Sequence, residues 1–293
     1  MFSFCKIPFY LGNKGLLKWL PDELYLKLVF SGMVGYKLNL KNPKTLNEKI
    51  QWQKLYDHNP LYTDLVDKQA VKKYVAQIIG DQYIIPTIGV WKRFEDIDFE
   101  KLPNQFVLKC THDSGGLVIV KDKSLLDYKK AKKKIESCLK KNYFWTGREW
   151  PYKNVKPQII AEPYIEDAKT SELRDYKFFV FNGVPKLLFV ASDRQTKGEE
   201  VKFDFYDINF KHIDVKNGHE NSNKIIEKPS KFDEMVALAK KLSFGIPLVR
   251  VDFYEANGCT LFGEITLSHF SGFTPFEPYE FDELFGSWVD LEC

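Results

Sequence analysis

The sequence has no apolar run long enough to span a bilayer, no Cys-x-x-Cys pair and no histidines at metal-ligand spacing. Its five cysteines, Cys5, Cys110, Cys138, Cys259 and Cys293, are odd in number and scattered. That excludes a disulfide framework and a structural zinc site, and predicts reduced thiols in a cytosolic protein. His58, His112, His212, His219 and His269 are equally dispersed. Charge of one sign is lacking too: a net +3 is too small to make nucleic acid the main partner. The first residues, MFSFCKIPFYLGNKG, hold a short apolar stretch broken by Pro8 and Gly12. Without the basic and long hydrophobic regions of a signal peptide, they predict a cytoplasmic location. Internal repeats and low-complexity tracts are absent. What remains is ordinary globular material, 293 residues at 44% hydrophobic, 28% charged and 15% aromatic, enough for one large core or two to three lobes.

The densest chemistry lies at 248–272, LVRVDFYEANGCTLFGEITLSHFSG, which predicts two strands turning at Asn257-Gly258. Even positions give Arg250, Asp252 and Tyr254, then Phe262, Glu264, Thr266 and Ser268. Odd positions give Val249, Val251 and Phe253, then Leu261, Gly263, Ile265 and Leu267. One face is therefore nearly all apolar, and the other carries an arginine and two carboxylates. A strict two-residue turn would put Asp252 and Glu264 on opposite faces, so their pairing predicts a three-residue loop or a bulge. Facing carboxylates repel unless a cation lies between them, and hard oxygen donors suit Mg2+ or Mn2+. The alternative is a hairpin whose polar face is solvated.

Up to about residue 66 the chain reads as helical and poor in chemistry. Pro21-Asp22 opens a helix through Phe30, with Leu24, Leu28 and Val29 on its inner face and Gly32 closing it. Thr45 and Glu48 form a capping box ahead of Ile50, Trp52 and Leu55. A new unit begins at Asp67-Lys68 with an amphipathic helix ending at Gly80. A short strand YIIP and a connector Gly89-Val90-Trp91 follow. Strands at 105–110 and 117–121 flank the loop THDSGG. With Lys109 just before it, such a loop can fold over phosphates through backbone N–H groups and the ammonium; an ordinary hairpin turn gives the same string.

The predicted helix 124–141 carries Lys129, Lys130, Lys132, Lys133, Lys134, Lys140 and Lys141. It reads as a solvated face, or as a landing surface for an anionic saccharide, a lipid diphosphate or a membrane. The segment 142–156 reads as a loop whose Trp145, Arg148 and Trp150 suit stacking on a sugar or hydrophobic anchoring. Strands are expected at 158–167, at 174–183 and 184–194 around the Asn182-Gly183 turn, and at 203–210; a helix is expected at 231–243. Asp175 and Lys177 share a face. Helices dominate the first half and strands the second, an α+β layout.

In this order the parts resemble the ATP-grasp superfamily, and more narrowly its TupA-like branch, associated with teichuronopeptide and capsular polysaccharide biosynthesis. The resemblance covers roughly residues 67–286. It implies two α+β lobes clamping a nucleotide, expected at 67–161 and 162–293, behind a helical cap at 1–66. Lys68 and Lys109 match the phosphate lysines, and Ser114, Gly115 and Gly116 the glycine-rich flap. Glu162-Pro163-Tyr164-Ile165 is similar to the interlobe hinge, where backbone groups of Glu162 and Ile165 bond adenine. Asp175 and Lys177 match positions near the phosphates, and Arg194 a phosphate-side arginine. VRVDFY and GEITLSHFSG resemble the R-x-D-F and E-x-N-x-x-x-G signatures, so that Asp252, Glu264 and Thr266 hold Mg2+ (or Mn2+) while Arg250 steadies the acyl phosphate. Thr266 departs from the usual asparagine and is the weaker ligand, and Cys110 replaces a common proline.

The activity the resemblance implies is ATP-dependent ligation of a carboxylate and an amine, the step that modifies a uronic acid-type sugar in cell-surface polysaccharide assembly at the inner face of the membrane. Phosphoryl transfer needs positive charge around phosphates and a bridging divalent ion, and the lysines, arginines and carboxylates named above match that need. The alternatives are a glycosyltransferase, a kinase that stops after phosphoryl transfer, and a non-catalytic nucleotide-binding module. The first would need an Asp-x-Asp metal loop, and Asp96-Ile97-Asp98 lies instead in a connector.

Overall fold

The computed structural model describes residues 6–113, 115–167, 173–192 and 200–291. Its first part is helical: α1 (Ile7–Asn13), α2 (Asp22–Val34), α3 (Leu46–Tyr56), α4 (Leu61–Val66) and α5 (Ala70–Ile79). Helix α2 starts at Pro21-Asp22 as expected but runs through Gly32 and stops at Gly35, whose φ of 94° gives the left-handed cap that ends helices. Its inner stripe is Tyr25, Leu26, Val29 and Phe30, while Leu24 and Leu28 are exposed, a correction of the expected face by one residue. The pairs Tyr25/Val29 and Leu26/Phe30 are each four apart and set the stripe. The capping box is formed, with Glu48 N–H donating to Thr45 Oγ1 at 3.1 Å and Thr45 N–H to Glu48 Oε2 at 3.2 Å.

The small sheet has strand order β1-β4-β2-β3, all antiparallel: β1 (Gly89–Trp91), β2 (Phe106–Cys110), β3 (Leu117–Val120) and β4 (Ile159–Pro163). The expected connector at Gly89 is thus a strand, because β4 offers it a pairing edge. The expected YIIP strand is instead the end of a 3-10 turn, Asp81–Tyr83, and extended chain. Between β3 and β4 lie α6 (Tyr128–Leu139), capped by Asp127 and so starting later than the expected residue 124, and α7 (Phe144–Gly147). Helix α6 buries Ala131, Ile135 and Cys138 against Phe106, Leu108 and Ile159, so its lysines lie on the outer side. The opposite face of the sheet carries Val107, Lys109, Leu117, Ile119 and Glu162 towards the cleft.

The large sheet has order β10-β9-β5-β6-β7-β8, again antiparallel. Its strands are β5 (Asp175–Phe181), β6 (Val184–Ser192), β7 (Lys202–Asp207), β8 (His212–Ile213), β9 (Leu248–Ala256) and β10 (Cys259–Thr266), with α8 (Phe232–Leu242) before β9 and α9 (Glu280–Ser287) closing the chain. Strand alternation divides its side chains between two cores. Phe178, Val180, Val249, Val251 and Phe253 pack with α4, α5 and α8. Phe179, Phe181, Phe189, Phe205 and Leu248 pack with Leu46 and Ile50 of α3 and Phe285 of α9. Among the described residues no helix is long and apolar enough to cross a membrane.

Candidate functional site

The β9–β10 hairpin shows how a sheet can be polar at one end of a face and apolar at the other. Its turn has two residues, Asn257 at φ 52° and Gly258 at φ 77°, the left-handed pair such turns require. The ladder then slips between Phe262 and Glu264, leaving Gly263 as the extra residue, so Glu264 stands opposite Asp252 and Thr266 opposite Arg250. Of the two expected devices the structure uses the bulge. The two-residue turn, ahead of the slip, sets Phe262 opposite Phe253 and into the apolar core, a correction to its expected place on the polar face.

On the other side of β9, Lys177 of β5 stands opposite Asp252. Three neighbouring strands therefore line up Lys177, Asp252 and Glu264 in one row. Lys177 Nζ lies 2.7 Å from Asp175 Oδ2 and also contacts Asp252. Arg250 donates from Nε to Asp252 Oδ1 at 2.7 Å and from Nη2 to Asp252 Oδ2 at 2.8 Å. The same Nη2 lies 2.8 Å from Glu264 Oε1 and 3.0 Å from Thr266 Oγ1. One cationic nitrogen thus sits amid the three oxygens that the sequence assigned to a metal.

That arrangement tests the donor set. Among the described residues the cluster holds three carboxylates, Asp175, Asp252 and Glu264, and two cations, Lys177 and Arg250. Among the described residues no group of three or more His, Cys, Asp or Glu side chains is set to hold a metal. The seat rests on two carboxylates and a hydroxyl, and a hard divalent ion would draw its other ligands from water and substrate oxygens. Asp252 is buried while the Glu264 side chain is 41% exposed towards the cleft. Burial pushes the Asp252 carboxyl up, against the pull of Arg250 and Lys177. Glu264 moves the other way: burial resists, but Lys177 and Arg250 hold it far below the usual carboxylate range.

Of this floor, Glu264 reaches a cavity of about 270 Å3 whose lining also holds Lys68, Lys72, Lys109, Asp113, Gly116, Tyr152 and Glu162, while Asp252 is fully buried. Lys109 Nζ lies 2.6 Å from Glu162 Oε2 and Lys72 Nζ 2.5 Å from Glu162 Oε1. Despite burial, the two ammoniums keep Glu162 below the ordinary carboxylate range. Lys68 Nζ donates to the carbonyl of Asp113, and its backbone N–H to Thr111 O at 3.0 Å. The glycine loop is thereby tied to the start of α5. His112 also anchors it, 3.1 Å from Lys141 O. Gly116 is required where it stands, because a Cβ there would lie 2.6 Å from Cys110 Sγ. Gly115 is exposed beside it; Ser114 and Arg194 lie outside the described residues. The cavity continues into an apolar slot of about 190 Å3 lined by Val107, Ile119, Glu162, Pro163, Tyr164, Ile165 and Tyr254.

Arg148, offered by the sequence as a sugar-stacking residue, is 1% exposed. Its guanidinium packs over Tyr25 and Trp145, 4.5 and 4.6 Å from the ring centroids, and bonds the carbonyl of Leu17 at 2.9 Å. It anchors α7 to the helical N-terminal part, and Trp150 stacks on His58. Sequence reasoning missed Lys72, whose signal was its i,i+4 spacing from Lys68. It also missed Asn47, Gln51 and Lys54, one face of α3, which donate to the carbonyls of Thr274, Gly272 and Ser271 at 3.0, 2.8 and 2.5 Å. The turn that follows β10 is thus clamped by a helix more than two hundred residues away. His269 and Asn217 left no local signal.

A family model described as TupA-like ATPgrasp matches residues 48–290. No curated protein matches the chain in sequence. Among solved structures it is similar to a D-alanine–D-alanine ligase from Bacillus anthracis complexed with ATP, at 16% identity and TM-score 0.38, covering 69% of this chain and 53% of that one. It is similar also to the D-cycloserine synthetase DcsG, at 16% identity and TM-score 0.41, covering 71% and 64%. A third is the ATP-grasp ligase PsnB complexed with minimal precursor, Mg and ADP, at 10% identity and TM-score 0.40, covering 75% and 57%. The chain spans less than two thirds of the length of each.

Proposed function

The chain belongs to the TupA-like ATP-grasp family, and from that membership we propose that it is an ATP-dependent carboxylate–amine ligase, releasing ADP and phosphate. The observation that carries the reading is the meeting, in one cavity, of Lys68, Lys72 and Lys109 with Glu264, whose carboxylate shares an Arg250 nitrogen with Asp252 and Thr266. The apolar slot beside Glu162–Ile165 suits a purine. In this reading a substrate carboxylate oxygen attacks the terminal phosphorus and ADP leaves. An amine then attacks the acyl carbon, phosphate leaves, and the amine gives up a proton.

Lys68, Lys72 and Lys109 supply fixed positive charge to the phosphates, and Lys177 and Arg250 supply it to the transferring group. Asp252, Glu264 and Thr266 would hold Mg2+ or Mn2+, which when bound neutralises phosphate charge. The flap glycines let the backbone approach closely. Arg194 is assigned to the phosphate side on the family resemblance alone. So is the substrate class, a uronic acid-type sugar of cell-surface polysaccharide. The exposed lysines of α6 fit contact with a membrane-linked form of it.

The test is Mg-ATP-dependent ADP release with uronic acids, using hydroxylamine as the amine to trap an acyl phosphate as hydroxamate. Asp252→Asn and Glu264→Gln should each abolish release while the unfolding transition stays cooperative. Wild-type turnover in both variants would remove the metal assignment. A stable phosphorylated product without hydroxamate would favour the kinase reading.

A further inference from the structure

Arg250 makes one contact that neither the metal seat nor the charge row explains. Its Nη1 lies 2.7 Å from Nδ1 of His269, and His269 Nε2 lies 2.8 Å from Oδ1 of Asn217. Asn217 Nδ2 is 3.0 Å from each of the carbonyl oxygens of Thr274 and Pro275. All three side chains are buried, Asn217 completely. Each link has only one chemically allowed direction. Carbonyl oxygens only accept, so the Asn217 amide nitrogen must face them and its oxygen must face the imidazole. That oxygen needs a donor, so His269 carries its proton on Nε2. Nδ1 is then the bare acceptor, and a guanidinium can only donate. Orientation is transmitted from two backbone carbonyls to the guanidinium with no choice left open.

The surroundings hold this chain in place. The His269 ring meets Phe179 edge-on at 4.9 Å and lies 5.4 Å from Phe189. Lys216, beside Asn217, exchanges backbone hydrogen bonds of 2.8 and 2.9 Å with Glu277. Phe270, Ser271 and Gly272 after the histidine all have φ between 45° and 62°, and α3 holds the carbonyls of Ser271 and Gly272. Burial, with Arg250 and Lys177 nearby, keeps the imidazole neutral.

We propose that His269 and Asn217 are positioning residues that aim the Arg250 guanidinium, by fixing the imidazole as an Nδ1 acceptor. This rests on the ligase reading of the cleft, in which Arg250 touches the reacting group; neither His269 nor Asn217 touches that group. Displacing a reacting-group contact by about 1 Å costs about a hundredfold in rate, so loss of the relay should lower kcat by about 10–100-fold with little change in KM for ATP.

Two measurements test this. Long-range 1H–15N spectra of histidine-labelled protein, with the His269 signal identified by its loss in His269→Phe, should show protonated Nε2 and bare Nδ1. A protonated Nδ1 overturns the proposal. This spectrum needs no substrate, so it stands even if no acid and amine support ADP release, which would remove the ligase reading instead. The second is ADP release with glucuronate and hydroxylamine. His269→Phe keeps the ring packing and should lose kcat, whereas His269→Asn, which returns an acceptor near the Nδ1 position, should recover part of it. Wild-type kcat in His269→Phe, or no advantage of Asn over Phe, overturns the proposal.

Discussion

Arg250 does at the level of one residue what a metal ion would do. Its Nη2 satisfies Asp252, Glu264 and Thr266 together, so a divalent ion entering that seat has to displace it. Arg250→Met removes the competing charge at similar length. Mn2+ alone, followed by its electron paramagnetic resonance signal, should then bind more tightly than to the unaltered protein. Turnover should fall by about 10²–10³, the usual loss when a donor to developing charge is removed. Weaker Mn2+ binding in the variant would mean that the guanidinium is part of the seat and not its rival. The Asp252–Glu264 pairing was legible in the sequence because strand alternation with an Asn-Gly turn called for either a three-residue loop or a bulge. The histidine behind Arg250 was not. Its partner Asn217 lies 52 residues earlier, and only the folded loops bring them together.

A second residue gives a dependence on pH. Asp282 of α9 is buried and accepts from Asn47 N–H at 3.0 Å, Asn47 Nδ2 at 2.8 Å and Tyr36 OH at 3.2 Å. Burial outweighs these donors and pushes its carboxyl up to about 6, against about 3.9 in an unfolded chain. The folded state therefore binds the proton more tightly. Its contribution is full below about pH 4 and is lost as pH rises through about 6, at most roughly 3 kcal/mol. Urea unfolding at pH 4 and pH 7 should show this loss in the unaltered protein relative to Asp282→Asn, since the amide mimics the protonated acid. Parallel pH profiles for the two proteins would refute it.

Between elements, the tightest joint is where α9 crosses the start of α3. A Cβ on Gly286 would fall 2.0 Å from Lys44 O and 2.6 Å from Thr45 C, both backbone atoms inside the capping box region, which cannot swing aside. Gly286→Ala should therefore cost about 1–3 kcal/mol or more, as overpacking does, read as a drop in urea midpoint. An unchanged midpoint would mean the helices can separate freely. The sequence marked α3 well, because its Thr45/Glu48 box is local chemistry. It marked β1 poorly, because three residues become a strand only when β4 offers an edge. The sequence also placed the wrong face of α2 inward. Leu24 and Leu28 outrank Tyr25 in hydrophobicity, yet Tyr25 alone can reach Thr146 O, at 2.7 Å, and pack under Arg148.

Over the whole molecule, we propose that 67–161 and 162–293 form the two lobes around the cleft and 1–66 a cap. The cap is itself divided by how it packs. Helices α1 and α2 build a satellite core with Leu38, Leu40 and Phe273, whereas Leu46 and Ile50 of α3 enter the core of the large sheet. Each of these two, at most 1% exposed, contributes roughly 1.5–3 kcal/mol by burial. The hydrogen bonds from Asn47, Gln51 and Lys54 to 271–274 add about 1 kcal/mol each. Together that approaches the roughly 5–15 kcal/mol by which a domain is stable at all. A chain of residues 38–293 should accordingly keep a cooperative urea transition at reduced midpoint, while one of residues 58–293 should lose it. The second deletion also frees the turn that carries His269, so any ADP release it retains should be far below that of the first. Equal transitions and equal release in the two chains would show that α3 is no part of the site's foundation.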